Sequence, residues 1–499
     1  MRRHRLLQAA ALAGLVVVTA CTGGSSITDS GDATGTTSAD STGGTGTTLA
    51  ATTTTVAPDT LPDCPADPQL LADNPGTVEL TFWHGMSGPL GAELDELAAA
   101  YNASQSKVAV SLVGGNYEEA LDKYLQSNQE GRPDVIQLPE YTVQSIIDTE
   151  STVPVGKCIE ATGFDTAAFL PSAMSAYATQ GMQWAMPFNI SNPVLFYNKR
   201  VFEAAGLDPD RPPTSLDEMR EYSQAIVDSG ASSFGLALES GFDSGGGWYV
   251  EQWFCKAQEY YTDGDNGRSA RATKVLYNND TGVGLLTFLQ QMVVDGLAVN
   301  VGDNSGTGYD NLLKLADQQQ AAAMTIATSA SLGPVLDVLG SGQFPNISAD
   351  DVGVGPMPGP DGAPGALIGG AALWVVNHDD PLRTAASWDF VQFLVGAEQQ
   401  SAWAAATGYV PVRDDARDLD PYRSTLAGDP RFGVALDQLL SSPDALTSAG
   451  PVVGPLREIR AVLAIAVAAI LDGADVQASL DDAATQANGL ITDYNLRNS

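Results

Sequence analysis

Thr77-Val78-Glu79-Leu80-Thr81-Phe82-Trp83 alternates apolar and polar side chains with the period of a β-strand. The chain after it changes period in a regular rhythm. Gly91 to Tyr101 sets Leu94, Leu97, Ala98 and Tyr101 at helical spacing, and Lys107-Val108-Ala109-Val110-Ser111-Leu112 alternates again. Tyr117 to Gln129 reads as a helix with Leu121, Tyr124 and Leu125 on one face, and Pro133-Asp134-Val135-Ile136-Gln137-Leu138 as a buried strand. The order β-α-β-α-β predicts an α/β fold with a mostly parallel sheet and helices on both faces. Ligands of such sheets gather beyond the carboxyl ends of the strands, and Tyr117 and Glu140 fall at two of those ends.

Downstream the texture repeats without a fixed period. Leu216 to Ser229 and Gly282 to Val294 read as helices, Ala322 to Ala327 and Ala371 to Asn377 as strands, and the last hundred or so residues as largely helical. Gly245-Gly246-Gly247 opens a helix bearing Trp248, Trp253 and Phe254, while the glycines and prolines of Gly353 to Gly370 predict a crossing or hinge loop. Trp83, Trp374, Trp388 and Trp403 are expected in the core. His84 closes a strand, where a structural role is expected of it.

Upstream, Arg2, Arg3 and Arg5 precede an apolar stretch from Leu6 to Ala20, the pattern of a secretory signal in residues 1–20. It ends Val18-Thr19-Ala20-Cys21, which resembles a bacterial lipobox and predicts acylation of Cys21. Residues 21–63 are then expected to be a tether: Thr22 to Thr60 holds no aromatic residue, lysine or arginine, and its reach is on the order of 35 Å. The expected location is the outer face of the cell membrane, held by lipid alone.

Charge and composition narrow the function. Sixty acidic residues face 24 basic ones, a formal net charge of -36 that repels nucleic-acid phosphates, so no nucleic-acid partner is expected. Only His4, His84 and His378 are histidines, and His4 lies in the signal, which excludes a multi-histidine metal centre within one chain. No Gly-x-Ser-x-Gly or Gly-x-x-x-x-Gly-Lys-[Ser/Thr] occurs. No cofactor, metal or catalytic residue is expected. The enzymatic rival is a secreted glycosidase pairing Glu140 with Glu239 or Glu251, although with so many acids some such pairing is inevitable.

Several stretches together resemble the solute-binding components of bacterial ABC importers, and within them the glycerol-3-phosphate-binding proteins. They are Phe82-Trp83-His84-Gly85-Met86, Gly115-Asn116-Tyr117, Met186 to Lys199, Ile368 to Trp374, Thr407-Gly408-Tyr409-Val410-Pro411 and Arg457-Glu458-Ile459-Arg460. The resemblance implies a two-lobed (class II) periplasmic-binding-protein-like fold with a hinge. One lobe is expected at 64–186 plus 322–377, the other at 187–321 plus 378–499. It implies ABC permease subunits as partners, a monomeric state and a phosphorylated polyol or sugar as ligand.

Carried over by position, the implied ligand contacts are Tyr117, Glu140, Ser191, Trp248, Thr328, Gly370, Tyr409 and Arg460, with Thr328 where a serine is usual. A phosphate would be gripped by the Arg460 fork, with Ser191, Tyr409 and the Gly370 amide completing its shell and Glu140 accepting from glycerol hydroxyls. Taken alone, Glu140 and Arg460 would be solvated or paired with each other. The implied family also carries two tryptophans at the head of the helix that Gly247 opens. Here Gly245 replaces the first, which predicts a larger pocket. Glycerophosphocholine is the favoured ligand, its quaternary ammonium facing Trp248 and nearby tyrosines; the alternative is an oligosaccharide stacked on Trp248. Cys64 and Cys158 lie in polar stretches and predict a disulfide, with Cys255 a buried thiol.

Overall fold

The computed structural model describes residues 61, 63–306 and 308–498, so the signal, Cys21 and most of the tether lie outside the described residues. In chain order the strands are β1 (Val78–His84), β2 (Val108–Gly114), β3 (Val135–Pro139), β4 (Thr152–Val153), a hairpin of β5 (Ala178–Thr179) and β6 (Met182–Gln183), β7 (Met186–Ser191), β8 (Pro193–Asn198), β9 (Phe234–Leu238), β10 (Ala298–Asn300), β11 (Ala322–Thr328), β12 (Val352–Pro356) and β13 (Gly369–Val376). Two mixed sheets form two lobes. The first runs β2-β1-β3-β13-β4 with β7 also on β13, and the second runs β10-β9-β11-β8-β12.

In the first lobe β1 is parallel to both neighbours, as the β-α-β-α-β order predicts, but β13 returns antiparallel to β3, β4 and β7. Val78, Leu80 and Phe82 of β1 are buried, and the helix Gly88–Ser104 buries Leu94, Leu97, Ala98 and Tyr101, the periodic positions of its sequence. Asn116 caps the helix Tyr117–Gln126 by accepting the Glu119 N–H at 2.8 Å, which sets Tyr117 in its first turn. The four tryptophans expected in the core are buried. His84 is also buried at the end of β1, where its Nδ1 accepts the Met86 N–H at 3.3 Å.

The lobe borders differ from the sequence expectation. The stretch 322–377 is divided: β11 and β12 flank β8 in the second sheet, and only β13 belongs to the first. Conversely, the helix Pro381–Leu394 packs on the first lobe, where Phe390 meets Phe82 edge-on and Asp389 accepts the Tyr101 hydroxyl at 2.6 Å. Part of Gly353 to Gly370 is strand β12 rather than loop. Its glycines admit large neighbours, since a Cβ on Gly353 would lie 2.1 Å from the Tyr197 ring and one on Gly355 2.5 Å from Pro212. A glycine-rich stretch can thus be a strand when a bulky partner fills the missing side chains.

The chain crosses between lobes at Asn192, between β7 of one sheet and β8 of the other, and again between β12 and β13. Asn192 is pinned there: its side-chain amide donates to the Ala435 carbonyl at 2.8 Å and accepts from Gln438 at 2.8 Å. Cys64 and Cys158 are disulfide-bonded with Cα atoms 4.9 Å apart, and Cys255 is a buried thiol whose pKa burial pushes up to about 11. Among the described residues no helix is long and apolar enough to cross a membrane.

Candidate functional site

The backbone at the first crossing gathers residues distant in sequence. Gly369 pairs with Ser191 and Gly370 with Ile190, while the Val410 N–H donates to the Ile190 carbonyl at 2.8 Å, so Ser191, Gly370 and Tyr409 share one junction. Gly370 has φ +90°, and a Cβ there would fall 1.9 Å from the Asn189 carbonyl oxygen, so the junction requires glycine.

A buried polar relay aims Tyr117 at this junction. The Gly85 N–H donates to Gln137 Oε1 at 3.0 Å, Gln137 Nε2 to Asn189 Oδ1 at 2.7 Å, and Asn189 Nδ2 to the Tyr117 hydroxyl at 2.9 Å. The Tyr117 ring rests on Gly85, where a Cβ would come within 2.2 Å of it. Tyr409 stacks on Trp403 with centroids 5.7 Å apart, and burial raises the pKa of its hydroxyl. Tyr177, buried and coupled electrostatically to Glu140 and Tyr409, has a hydroxyl without a partner among the described residues. Trp248 lies against Gly369, where a Cβ would come within 2.3 Å of its ring, and its indole N–H is likewise unpartnered.

Beside these aromatics sits an ion triad. Glu140 follows β3 and accepts from Arg460 Nη2 at 2.9 Å; Arg460 projects from the helix Leu456–Leu471. Glu251, on the helix Trp248–Lys256, takes the fork: Nε donates to Oε1 at 2.6 Å and Nη2 to Oε2 at 2.7 Å. Burial alone would lower the Arg460 pKa, but the two carboxylates outweigh it and hold the guanidinium above its ordinary value. Burial raises the Glu140 pKa against the attraction of Arg460. Arg460 Cζ also lies 5.3 Å from the Tyr141 ring centroid. Arg457, one turn earlier, reaches the first lobe through Glu118 at 3.0 Å and Asp122 at 2.9 Å.

Two expectations are corrected here. The Arg460 fork is not free to grip a phosphate, because its bidentate edge is filled by Glu251. Nor does Gly245 leave a larger pocket, since a Cβ there would lie 2.0 Å from the Glu239 carbonyl oxygen. Thr328 ends β11 opposite Pro193, beside the crossing, and its hydroxyl accepts the Ala330 N–H at 3.4 Å. The site also holds Asn189, Gln137 and Tyr177, which the sequence expectation does not include. Along the chain Glu251 is expected only as half of a hydrolytic pair, although its position three residues after Trp248 puts both on one helical face.

The family model of bacterial extracellular solute-binding proteins matches residues 96–427. The sn-glycerol-3-phosphate-binding periplasmic protein UgpB of Pectobacterium atrosepticum is 29% identical over 443 residues, 86% of this chain and 94% of that protein. UgpB from Mycobacterium tuberculosis, solved in complex with glycerophosphocholine, superposes with a TM-score of 0.68 at 23% identity, covering 84% of this chain and all of that one. The sugar-binding protein MalE of Xanthomonas citri superposes with a TM-score of 0.69 at 18% identity, over 84% of this chain and 98% of that one.

Proposed function

The chain belongs to the bacterial extracellular solute-binding proteins, as a substrate-binding component of an ABC importer, and we propose that its ligand is a glycerophosphodiester, with glycerophosphocholine favoured over glycerol-3-phosphate. The observation that carries this reading is the meeting of the Tyr117, Tyr177, Tyr409 and Trp248 aromatics with the Glu140–Arg460 pair. Aromatic faces beside a carboxylate suit a quaternary ammonium, and Arg460 keeps an arm, Nη1, outside its bonds to Glu251 and Glu140 for an anionic oxygen. Ser191, Thr328 and the Gly370 amide serve the glycerol and phosphate oxygens. Relatives named for glycerol-3-phosphate and a structural neighbour solved with glycerophosphocholine support the same class.

In this reading the lobes close about the ligand, and a Cys21 lipid anchor keeps the mature chain near its permease. One observation favours a neutral saccharide instead: the Arg460 fork is already engaged, while Trp248 and the carboxylates suit a sugar. Calorimetric titration with glycerophosphocholine, glycerol-3-phosphate and maltose decides between them. The expected order places glycerophosphocholine first; tight maltose binding with no response to either phosphate would sink the proposal.

A further inference from the structure

We propose that Glu251 sets the charge preference of the cleft, selecting a zwitterionic ligand over a more anionic one. This deepens the proposed function and rests on it. Glu251 is 2% exposed and holds both Nε and Nη2 of Arg460, so a phosphate can meet that guanidinium only through Nη1. A bidentate phosphate grip would require Glu251 to leave a fully desolvated partner, which is costly. The carboxylate therefore acts as a built-in occupant of the edge where a phosphate would otherwise bind.

Charge counting points the same way. Arg460 contributes one positive charge, and Glu140 and Glu251 contribute two negative ones within 2.9 Å of it, which leaves the triad with a net negative charge. Arg457 does not reverse this, because it faces Glu118, Asp122 and Glu458. A phosphate monoester carries close to two negative charges near neutral pH. A diester carries one, and in glycerophosphocholine the trimethylammonium cancels it. The zwitterion alone adds no net negative charge to a site that already has an excess, and it brings a cation that Glu140 and the tyrosine faces can receive.

The unmodified protein gives the first test. Its affinity should fall in the order glycerophosphocholine, glycerophosphoglycerol, glycerol-3-phosphate, with about tenfold or more between first and last. The second test is calorimetry on two variants. Glu251→Gln frees the Arg460 fork and removes one negative charge, so it should shift the ratio of the two dissociation constants toward glycerol-3-phosphate by about tenfold or more. Glu251→Asp keeps the charge but, one methylene shorter, loosens the fork, so its shift should be clearly smaller than that of Glu251→Gln. Glycerol-3-phosphate binding as tightly as glycerophosphocholine in the wild type, an unchanged ratio in Glu251→Gln, or an equal shift in Glu251→Asp overturns the role of Glu251 while leaving the ligand class standing. A wild type that binds maltose and neither phosphate overturns both.

Discussion

Arg271 clasps Asp148 with both arms of its guanidinium, Nη2 to Oδ1 at 2.6 Å and Nη1 to Oδ2 at 3.0 Å, across the boundary between the lobes. Asp148 ends the helix Val143–Ile147 of the first lobe, and Arg271 reaches Asn495 of the final helix at 3.4 Å. Tyr494 of that helix donates to Asp148 as well, at 2.7 Å. Together with Arg457 on Glu118 this makes a polar latch between the lobes, and the Asp148 side chain within it is only 8% exposed.

Asp148→Ala removes the acceptor of both Arg271 arms, the Tyr494 hydroxyl and the Gln144 amide, and should favour the open arrangement of the lobes. Ligand affinity is expected to drop by about tenfold, because closure then costs ~1.4 kcal/mol more. Small-angle scattering of the ligand-bound variant should show a larger radius of gyration than wild type. Equal radii and equal affinity would show that the latch does not contribute to closure.

Arg460→Ala leaves Glu251 buried without its counter-charge and should cost about 3–5 kcal/mol of stability besides abolishing ligand binding. Arg460→Lys should recover little of either, because a point charge cannot occupy two carboxylates as the planar fork does. Thermal unfolding and calorimetry on both variants check this. A wild-type melting temperature for Arg460→Ala would refute the structural part.

Burial pushes the Glu239 carboxyl from its ordinary 4.5 up to about 7, against the opposing hydrogen bond from the Ser244 hydroxyl at 2.7 Å. The folded state therefore holds this proton more tightly than the unfolded chain does. The resulting stability is fully present below pH about 4.5 and is lost as pH rises through about 7, by about 3 kcal/mol in all. Glu239→Gln should flatten that part of the curve. Denaturant titrations at pH 5 and pH 8 measure it, and equal slopes in wild type and variant would exclude Glu239 as the source.

The Cys64–Cys158 bond spans 94 residues of sequence, so its loss frees a long loop in the unfolded chain. Reduction, or Cys64→Ser with Cys158→Ser, should lower stability by about 2–4 kcal/mol. Both cysteines stand apart from the Tyr117–Arg460 cluster, so ligand affinity should be unchanged. A large affinity loss in the folded variant would show that the bridge also shapes the cleft.

The first lobe was legible because its signals are local. The alternation of Val78, Leu80 and Phe82 and the spacing of Leu94, Leu97, Ala98 and Tyr101 lie within one or two turns of backbone, where period and burial correspond directly. Local signals do not identify β12. Gly353 and Gly355 carry loop chemistry, and only the distant Tyr197 and Pro212 that fill their missing side chains make a strand of them. The split of 322–377 between lobes follows from pairing with β8, which no local period encodes.

At the site, the sequence by itself determined the residue types: tyrosines and a carboxylate at strand ends, an arginine on a late helix, glycines where the backbone must turn. Tertiary structure decided their partners. Glu251 and Arg460 stand 209 residues apart, and Glu140 and Arg460 stand 320 apart. An arginine able to grip a phosphate and one already held by two carboxylates look identical along the chain. They differ only once the helix Trp248–Lys256 packs against the helix that carries Arg460, where burial strips both groups of water and each becomes the nearest available solvation for the other.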